Sequence, residues 1–278
     1  MNVTVTPLKQ GFGAEISGLD LSQPLTDDDR RAIYQAFLKH HLVVFHDQNL
    51  TPEHTVNAAR ILGDDLEPHL FKHFHHPDTP LIMVLSNRRE DDGSPKGMAD
   101  AGTFWHSDVS YKPNPAKATL LYAREIPDHG GDTLFCNLTA AYEAMPDDMK
   151  KRLEGLTAMH DYNHVPRDVF SKLKLTPPPP CPQPVVRTHP ETGRKAIYIN
   201  PGYTTHIEDM IEDESAALMK DIFRHCLSDR FRMRYKWRAG DVIAWDNAAT
   251  MHSATTKNLD PSKHRTIWRA TISGSSAF

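Results

Sequence analysis

Hydrophobic and polar residues follow two different periods along the first part of the chain, which predicts both strands and helices. Val3 to Thr6 alternates apolar and polar residues, as a half-buried strand does. Thr26 and the acidic residues that follow it are typical of a helix N-terminus, and this helix is predicted to run to about His40. The apolar run from Leu42 to Phe45 predicts a buried strand, and Thr51-Pro52-Glu53 predicts the start of a second helix.

The rest of the chain reads mainly as short strands. Strands are predicted at Leu81 to Ser86, Ala118 to Ala123, Thr133 to Cys136, Phe231 to Arg238, Asp241 to Trp245 and Thr266 to Ser273, and helices at about Leu138 to Leu156 and Glu212 to His225. The stretch from Asn87 to Gly102 is a polar loop. Many short strands after a mixed region predict a mainly β protein with α additions, built on a sandwich or barrel core.

Two segments allow two interpretations each. Phe231 to Arg238 alternates apolar with basic residues, and its basic face is interpreted as solvated surface, with an anion site as the alternative. Ser171 to Pro184 contains four consecutive prolines, which exclude a regular helix or a central strand. It is either an excursion from the core that could act as a lid or a linker between domains. We predict a single domain over residues 1–278 with a proline-rich excursion near 171–184.

Composition narrows the class of protein. A formal net charge of -4 gives no general electrostatic reason to expect nucleic-acid binding. The longest apolar runs are too short to span a membrane, and the first residues lack the layout of a signal peptide. Three widely spaced cysteines, Cys136, Cys181 and Cys226, predict buried thiols and a cytoplasmic protein. The 17 histidines make the positions of this metal-binding residue informative.

A histidine and an aspartate two residues apart form the first half of a candidate metal site. If His106 and Asp108 lie on a strand, they point to the same face. Alone, this pair is equally typical of a histidine hydrogen-bonded to a nearby acid. His252, which follows a strand and a turn far along the chain, adds a third ligand. Two histidines and one carboxylate on one side of a metal leave adjacent positions open, as non-haem iron(II) oxygenases require.

Arg265 and Arg269 follow the last of these histidines. If Thr266 to Ser273 is a strand, the two side chains face the same way. A guanidinium is permanently charged and binds a carboxylate through two hydrogen bonds. Two such groups in an apolar pocket would need anions to balance them, whereas two exposed arginines on an edge strand would have no such role.

Several motifs, in the right order over nearly the whole chain, resemble the taurine dioxygenase and 2,4-dichlorophenoxyacetate dioxygenase family. They are Gly13 to Ile16, Phe104-Trp105-His106-Ser107-Asp108-Val109-Ser110, His129-Gly130-Gly131-Asp132-Thr133, Val186-Arg187-Thr188-His189-Pro190, and Trp245-Asp246-Asn247 through His252 to Arg269-Ala270-Thr271. The resemblance implies a double-stranded β-helix, or jelly-roll, core. It also implies an Fe(II) enzyme with 2-oxoglutarate and O2 as co-substrates, and a homo-oligomer, dimer or tetramer.

The resemblance also assigns roles to residues. His106, Asp108 and His252 would be the metal ligands and catalytic residues. Arg265 and Thr133 would bind the far carboxylate of 2-oxoglutarate. An aspartate in the second ligand position implies oxygenation rather than halogenation.

Substrate contacts follow from the same matches. Arg269 would bind an anionic group, which implies a sulfonate, an aryloxy or alkyl carboxylate or a sulfate ester as substrate. Val109, Tyr111 and Tyr203 would line the pocket, with His69 or His73 as the histidine that contacts substrate. Hydroxylation is predicted, while desaturation and epimerisation stay open. The alternative from another class is a jelly-roll protein that binds a metal or a small acid without catalysis.

Overall fold

Sixteen strands and five α-helices make up the regular structure of residues 3–9, 11–165 and 176–278, which the computed structural model describes. The strands are β1 (Thr4–Pro7), β2 (Ala14–Ser17), β3 (Leu42–Phe45), β4 (His75–His76), β5 (Thr79–Ser86), β6 (Ala118–Glu125), β7 (Thr133–Asn137), β8 (Thr157–His160), β9 (Cys181–Pro184), β10 (Val186–Thr188), β11 (Lys195–Ile197), β12 (Thr204–Ile207), β13 (Arg232–Tyr235), β14 (Val242–Asp246), β15 (Thr250–Ala254) and β16 (Thr266–Ile272). The helices are α1 (Asp27–His40), α2 (Pro52–Ala59), α3 (Leu138–Glu143), α4 (Asp147–Leu153) and α5 (Glu212–Cys226).

The strands form one large sheet and several small ones. The large sheet has eight strands in the order β1-β2-β3-β14-β6-β16-β5-β4, so that strands from the two ends of the chain lie side by side. A three-stranded sheet, β13-β7-β15, carries His252. Two further sheets are β12-β8-β9 and β10-β11. Most pairs are antiparallel, and only β2 and β3 pair in parallel among the described strands.

The hydrophobic core lies on both faces of the large sheet. In β3, Leu42 and Val44 pack with apolar residues of the β13-β7-β15 sheet. Val43 and Phe45 point the other way and pack with helical residues such as Phe37 of α1. Because both faces of β3 are covered, the strand has no polar position, which explains the uninterrupted apolar run in the sequence.

The first two helices begin where the sequence predicts. The Thr26 hydroxyl accepts a hydrogen bond from the backbone N–H of Asp29, and the Asp29 carboxylate accepts one from the backbone of Thr26. Thr51 and His54 form the same reciprocal pair at the start of α2, where Pro52 occupies the first turn. These local contacts explain why both helix starts could be read from sequence.

Three predicted elements differ from the structure. Strand β1 is exposed along its whole length rather than half-buried, because it lies at the edge of the sheet and pairs only with β2. The predicted helix from Leu138 to Leu156 is two helices separated near Pro146, a residue that cannot donate the backbone hydrogen bond of a helix interior. The alternating stretch from Phe231 forms a strand only as far as Tyr235.

Other predictions are confirmed or fall partly outside the described residues. The basic face of Phe231 to Arg238 is exposed, and Arg232 and Arg234 form surface ion pairs. In the proline-rich segment, residues 171–175 lie outside the described residues, so the lid interpretation stays a prediction. Cys181–Pro184 forms β9, which tolerates its prolines because it is an edge strand paired only with β8. No helix in the described ranges is long and apolar enough to cross a bilayer.

Replacing Phe37 by alanine tests the contact between α1 and the large sheet. Phe37 is fully buried, so Phe37→Ala removes apolar contacts and leaves a cavity. We expect the free energy of unfolding to fall by about 3–5 kcal/mol in denaturant titrations. Gln35→Ala on the exposed side of the same helix should change it by less than about 0.5 kcal/mol. Equal effects of the two substitutions would contradict this packing.

Candidate metal and co-substrate site

Two backbone hydrogen bonds bring His106 and His252 together. The N–H of His106 donates to the carbonyl of His252 at 2.9 Å, and the reverse bond measures 2.8 Å. His252 lies on β15, but His106 and Asp108 do not lie on a regular strand as the sequence analysis supposed. The backbone turns sharply after Asp108, and Val109 has a positive φ of 60°. An irregular segment held against β15 therefore presents both side chains to the same point.

The side chains of His106, Asp108 and His252 converge as predicted. One ligand atom from each lies within 4.8 Å of the others, and this is the only such group found in the described part of the chain. Nε2 of His106 is 3.6 Å from Oδ1 of Asp108, and Nε2 of His252 is 3.7 Å from Oδ2. All three side chains are buried.

The ionisation of these groups suits a metal ligand set. Burial by itself would raise the pKa of Asp108, but the Arg269 guanidinium and the two neighbouring imidazoles hold it well below its ordinary value. Burial lowers the pKa of His252 well below its ordinary value. The site therefore offers a carboxylate and, at His252, a neutral imidazole, the forms in which these residues bind metals.

The hydrogen bonding of Nδ1 in each imidazole shows which ring nitrogen is available to bind a metal. Nδ1 of His106 lies 2.8 Å from the carbonyl oxygen of Phe104, so it carries the proton and Nε2 faces the centre as an acceptor. Nδ1 of His252 is buried without a hydrogen-bond partner among the described residues, which is consistent with Nε2 as its ligand atom. Two imidazole nitrogens and one carboxylate on one side fit a ferrous ion with open positions opposite.

Two buried residues that the sequence analysis did not assign hold Asp108 in place. Thr119 donates from its hydroxyl to Oδ2 of Asp108 at 2.7 Å. Asn247 accepts from the backbone N–H of Asp108 at 3.1 Å and donates from Nδ2 to the Thr119 hydroxyl at 3.1 Å. The Trp245 indole also donates to Asn247 Oδ1, which fixes the amide. Asn247 stands in a quoted motif, whereas no sequence signal marks Thr119.

Arg265 and Thr133 lie at the end of the site where 2-oxoglutarate was predicted to bind. Both line one cavity together with His106 and His252. Nε of Arg265 donates to the carbonyl of Gly131 at 3.0 Å. Burial lowers the pKa of Arg265 to about 10, so it stays charged at neutral pH. The Thr133 hydroxyl accepts from the Trp237 indole at 3.0 Å, which leaves its own hydrogen free to donate.

The predicted substrate residues line a second, adjoining cavity of about 520 Å³. Its wall includes the five predicted residues His69, Val109, Tyr111, Tyr203 and Arg269. The remainder includes a further cation, Lys257, and six aromatic or sulfur-containing residues: Phe71, Phe74, Met83, Met98, Phe104 and Tyr162. The rings of Tyr111 and Tyr203 are 4.8 Å apart, and those of Tyr111 and Tyr162 are also 4.8 Å apart. The cavity therefore joins a cationic group near the metal ligands to an aromatic wall.

Two polar residues of this cavity have defined hydrogen bonds. Nδ1 of His69 accepts from the backbone N–H of Phe71 at 3.2 Å, and burial lowers the pKa of His69 to about 3. The imidazole is therefore neutral and presents Nε2–H as a donor. His73, the other candidate, is not among the described lining residues. Arg269 donates from Nη2 to Oδ1 of Asp108 at 2.8 Å, a contact that the sequence did not predict.

Part of the polar loop from Asn87 to Gly102 also lines the site, which the sequence analysis missed. Residues 97–104 contribute to the wall of the aromatic cavity. Gly102 has a φ of 67°, and a Cβ added there would lie 2.6 Å from Cε1 of His106. The loop can therefore pass this close to the metal ligand only with glycine at this position.

Comparisons with known proteins decide the family. The family model described as "Taurine catabolism dioxygenase TauD, TfdA family" matches residues 4–271. The chain belongs to this family. The family assignment confirms the resemblance drawn from the sequence motifs, and it confirms the predicted enzyme class, a dioxygenase and thus an oxidoreductase.

Members of the TauD and TfdA family resemble the chain over nearly its whole length. An alpha-ketoglutarate-dependent 2,4-dichlorophenoxyacetate dioxygenase of Cupriavidus pinatubonensis is 29% identical, covering 98% of each chain. A taurine dioxygenase structure from Burkholderia xenovorans has a TM-score of 0.85 and 31% identity, covering 100% of this chain and 91% of that one. The structure of AAD-2 in complex with Mn(II) and N-oxalylglycine has a TM-score of 0.79 and 30% identity, covering 100% and 99%. These likenesses confirm the predicted jelly-roll fold with α additions.

Removing the Thr119 hydroxyl tests how the ligand Asp108 is oriented. Thr119→Val keeps the side-chain shape but removes the hydrogen bond to Asp108 Oδ2. We expect Mn(II) or Fe(II) affinity, measured by equilibrium titration of the purified protein, to fall roughly 10- to 100-fold. Thr119→Ser keeps the hydroxyl and should retain affinity within about threefold. If the valine variant binds metal as tightly as the serine variant, the hydroxyl does not orient the ligand.

Proposed function

We propose that the chain uses 2-oxoglutarate and O2 at a ferrous ion to oxidise a small organic anion whose remaining part is apolar. The observation that carries the proposal is the convergence of His106, Asp108 and His252 beside a cavity with a buried guanidinium and an adjacent hydroxyl. In this proposal Arg265 and Thr133 bind the far carboxylate of 2-oxoglutarate. Succinate and CO2 are the expected co-products.

The three ligands support the choice of metal chemistry. Ferrous iron bound to two imidazoles and one carboxylate would chelate the keto acid and activate O2. The AAD-2 structure, with Mn(II) and N-oxalylglycine, is a related fold that holds a divalent metal and a dicarboxylate. In this chain, the network of Thr119 and Asn247 holds the carboxylate ligand, and the His106 Nδ1 contact fixes the tautomer of its ring.

The co-substrate end is built for one carboxylate. Arg265 is 6% exposed and forms no ion pair within the described residues, so an incoming carboxylate would supply its missing counter-charge. The Thr133 hydroxyl would add a neutral donor at the same carboxylate. Since Nε of Arg265 is already held by Gly131, its terminal nitrogens are available for two parallel hydrogen bonds.

The substrate cavity supports an anion with an apolar body. Arg269 supplies positive charge near the reaction centre, and neutral His69 supplies a hydrogen-bond donor. Apart from Asp108, Asp100 is the only acidic residue among the described lining residues. Six phenylalanine and tyrosine residues also line the cavity, so an aryloxy carboxylate or an alkyl sulfate fits better than an amino sulfonate, whose ammonium would need an acceptor.

The aromatic wall also contributes to catalysis by excluding water and positioning the substrate. Burial raises the pKa of Tyr111 well above its ordinary value, so its phenol stays neutral and packs against Tyr162 and Tyr203. A substrate held with its anionic end at Arg269 would place a neighbouring C–H bond towards the metal ligands. Such positioning lowers the barrier without any further protein group taking part in the reaction.

The predictions about catalysis, location, domain organisation and oligomeric state rest on separate observations. None of the relatives and solved structures compared with the chain supports the alternative, a jelly-roll protein that binds a metal or a small acid without catalysis. A cytoplasmic location is supported by three buried cysteines that form no disulfide in the described structure. A single domain over 1–278 is supported by a large sheet that mixes strands from both ends of the chain. The homo-oligomer, dimer or tetramer, stays a prediction from the family resemblance.

Binding of 2-oxoglutarate tests the assigned roles of Arg265 and Asp108. Without O2, the Fe(II) protein and 2-oxoglutarate should give the weak visible charge-transfer band of the chelate. Arg265→Ala should raise the Kd of 2-oxoglutarate roughly 30- to 200-fold, because it removes a charge-assisted hydrogen-bonded pair of about 2–3 kcal/mol. Arg265→Lys should bind 2-oxoglutarate with a Kd between those of the unchanged protein and Arg265→Ala. Asp108→Ala should not form the charge-transfer band. An unchanged Kd in Arg265→Ala would rule out its role.

Matched substrate pairs test the requirement for an anion. Succinate formation would be measured with phenoxyacetate against phenoxyacetamide, and with an alkyl sulfate against the corresponding alcohol. We expect each anion to raise turnover at least about tenfold above its neutral partner, because Arg269 has further N–H donors, besides the one that Asp108 accepts, for a charge-assisted hydrogen bond to an anion. Taurine should stimulate less than phenoxyacetate. Equal rates for the acid and the amide would contradict the role of Arg269.

A further inference from the structure

A third cavity lies beside Arg265 and shares Ala99, Asp100 and Lys257 with the aromatic cavity. It has a volume of about 540 Å³ and shares Leu85, Ala99 and Arg265 with the cavity that contains the metal ligands. Exposed residues such as Arg89 and Lys257 form its outer wall, so it opens to solvent. We call this cavity the vestibule. Arg265 therefore lies between the vestibule and the candidate metal site.

The vestibule is strongly positive. Arg88, Arg89, Lys257 and Arg265 line it, and Asp100 is the only acidic residue of its described wall. Arg88 is neutralised by an ion pair with Glu125. Arg89 forms no ion pair with any residue in the described ranges, and its Nη1 donates to the carbonyl of Gly93 at 2.7 Å. A cleft with an excess of one charge concentrates ions of the opposite charge and speeds their association.

Two polar atoms in the wall of the vestibule are buried without a hydrogen-bond partner among the residues that the structure describes. Thr256 is 7% exposed, and its hydroxyl has no hydrogen-bond partner within the described part of the chain. Nδ1 of His264, also on the wall, is buried and likewise unpartnered there. Because both atoms lie beneath the surface of the cavity wall, the charged side chains are the groups that an occupant of the vestibule would contact.

We propose that the vestibule is the access route by which 2-oxoglutarate reaches Arg265, separate from the aromatic cavity that takes the substrate. The proposal rests on the proposed function of Arg265 as the 2-oxoglutarate-binding residue. Arg89 and Lys257 at the mouth attract the dianion, and Arg265 receives the leading carboxylate.

The vestibule and the aromatic cavity share part of their walls but offer a dianion different surroundings. Ala99 and Asp100 line both the vestibule and the aromatic cavity, so the polar loop divides them. Lys257 lines both cavities, but the other cation of the aromatic cavity, Arg269, is paired with Asp108, whereas Arg89 of the vestibule forms no ion pair in the described ranges and is available to a dianion. With two routes, a substrate already bound in the aromatic cavity does not block the co-substrate.

The rate of chelate formation tests the electrostatic part of the proposal. Anaerobic Fe(II) protein would be mixed with 2-oxoglutarate in a stopped-flow instrument at several ionic strengths. Arg89→Ala/Lys257→Ala should lower the association rate constant about 5- to 20-fold at low salt, and the difference should vanish near ~0.5 M salt, where charges are screened within a few ångströms. Arg89→Lys/Lys257→Arg should behave as the unchanged protein does.

The control for net charge is Lys151→Ala/Lys220→Ala, which removes two exposed lysines of α4 and α5 that line neither cavity. This double variant should have an association rate constant for 2-oxoglutarate within about twofold of that of the unchanged protein. The proposal is overturned if both double-alanine variants slow association equally or if neither does. If the unchanged protein forms no chelate band at all, the proposed function itself fails, and this result is distinct from a normal band with unaltered kinetics.

Two bulky substitutions test the route itself. Pro261→Trp narrows the vestibule, and Val165→Trp narrows the aromatic cavity. Pro261→Trp should slow association and dissociation of 2-oxoglutarate by the same factor, about fivefold or more, with Kd unchanged, because an obstacle on the path alters both directions alike. Val165→Trp should leave both rates unchanged. The reverse pattern would place the route through the aromatic cavity.

Discussion

The buried carboxylate of Asp108 is the constraint on which the site depends. A lone ionised carboxylate in an apolar interior is strongly disfavoured, so the surrounding groups must stabilise it. Arg269 supplies charge, Thr119 supplies a hydroxyl, and the imidazoles of His106 and His252 face its two oxygens. These compensations point the carboxylate at the same space as the two imidazoles, so that the interactions that stabilise the folded protein also prepare the ligand set.

The jelly-roll brings these groups together from distant parts of the chain. Thr119 lies on β6 and Arg269 on β16, which are neighbours in the large sheet, whereas His252 lies on β15 of the smaller sheet. The segment around Asp108 is joined to β15 by the paired backbone bonds of His106. Because both sheets are packed through a common core, Thr119, Arg269 and His252 are positioned by rigid strands. The irregular segment with His106 and Asp108 is held by its backbone bonds to His252 and by the contact of Asp108 with Asn247.

A second buried charge organises the other end of the site. Arg265 keeps its charge despite burial and is held by the carbonyl of Gly131, while Thr133 is held by Trp237. The folded protein thus contains a fixed donor pair that forms no ion pair within the described residues, although the charge of Asp132 acts on Arg265 from a distance. Together with the positive vestibule, this arrangement makes the protein more complementary to a dicarboxylate than to a neutral molecule. The adjoining aromatic cavity is lined by six phenylalanine and tyrosine residues, which suit a second ligand with an apolar body.

Residue type and local contacts were sufficient to predict part of the structure. Three features could be predicted in this way: the helix-capping residues Thr26 and Thr51, the strand β3 that is buried on both faces, and the candidate metal ligands. Helix caps, hydrophobic periodicity and the metal preference of a side chain depend on residue type and on near neighbours in the chain. Only the tertiary structure decided that Arg269 contacts Asp108, that Thr119 orients it, and that the loop ending at Gly102 passes beside the metal ligands. These contacts join residues far apart in sequence, and the relative positions of packed sheets and loops, which create them, leave no periodic signal along the chain.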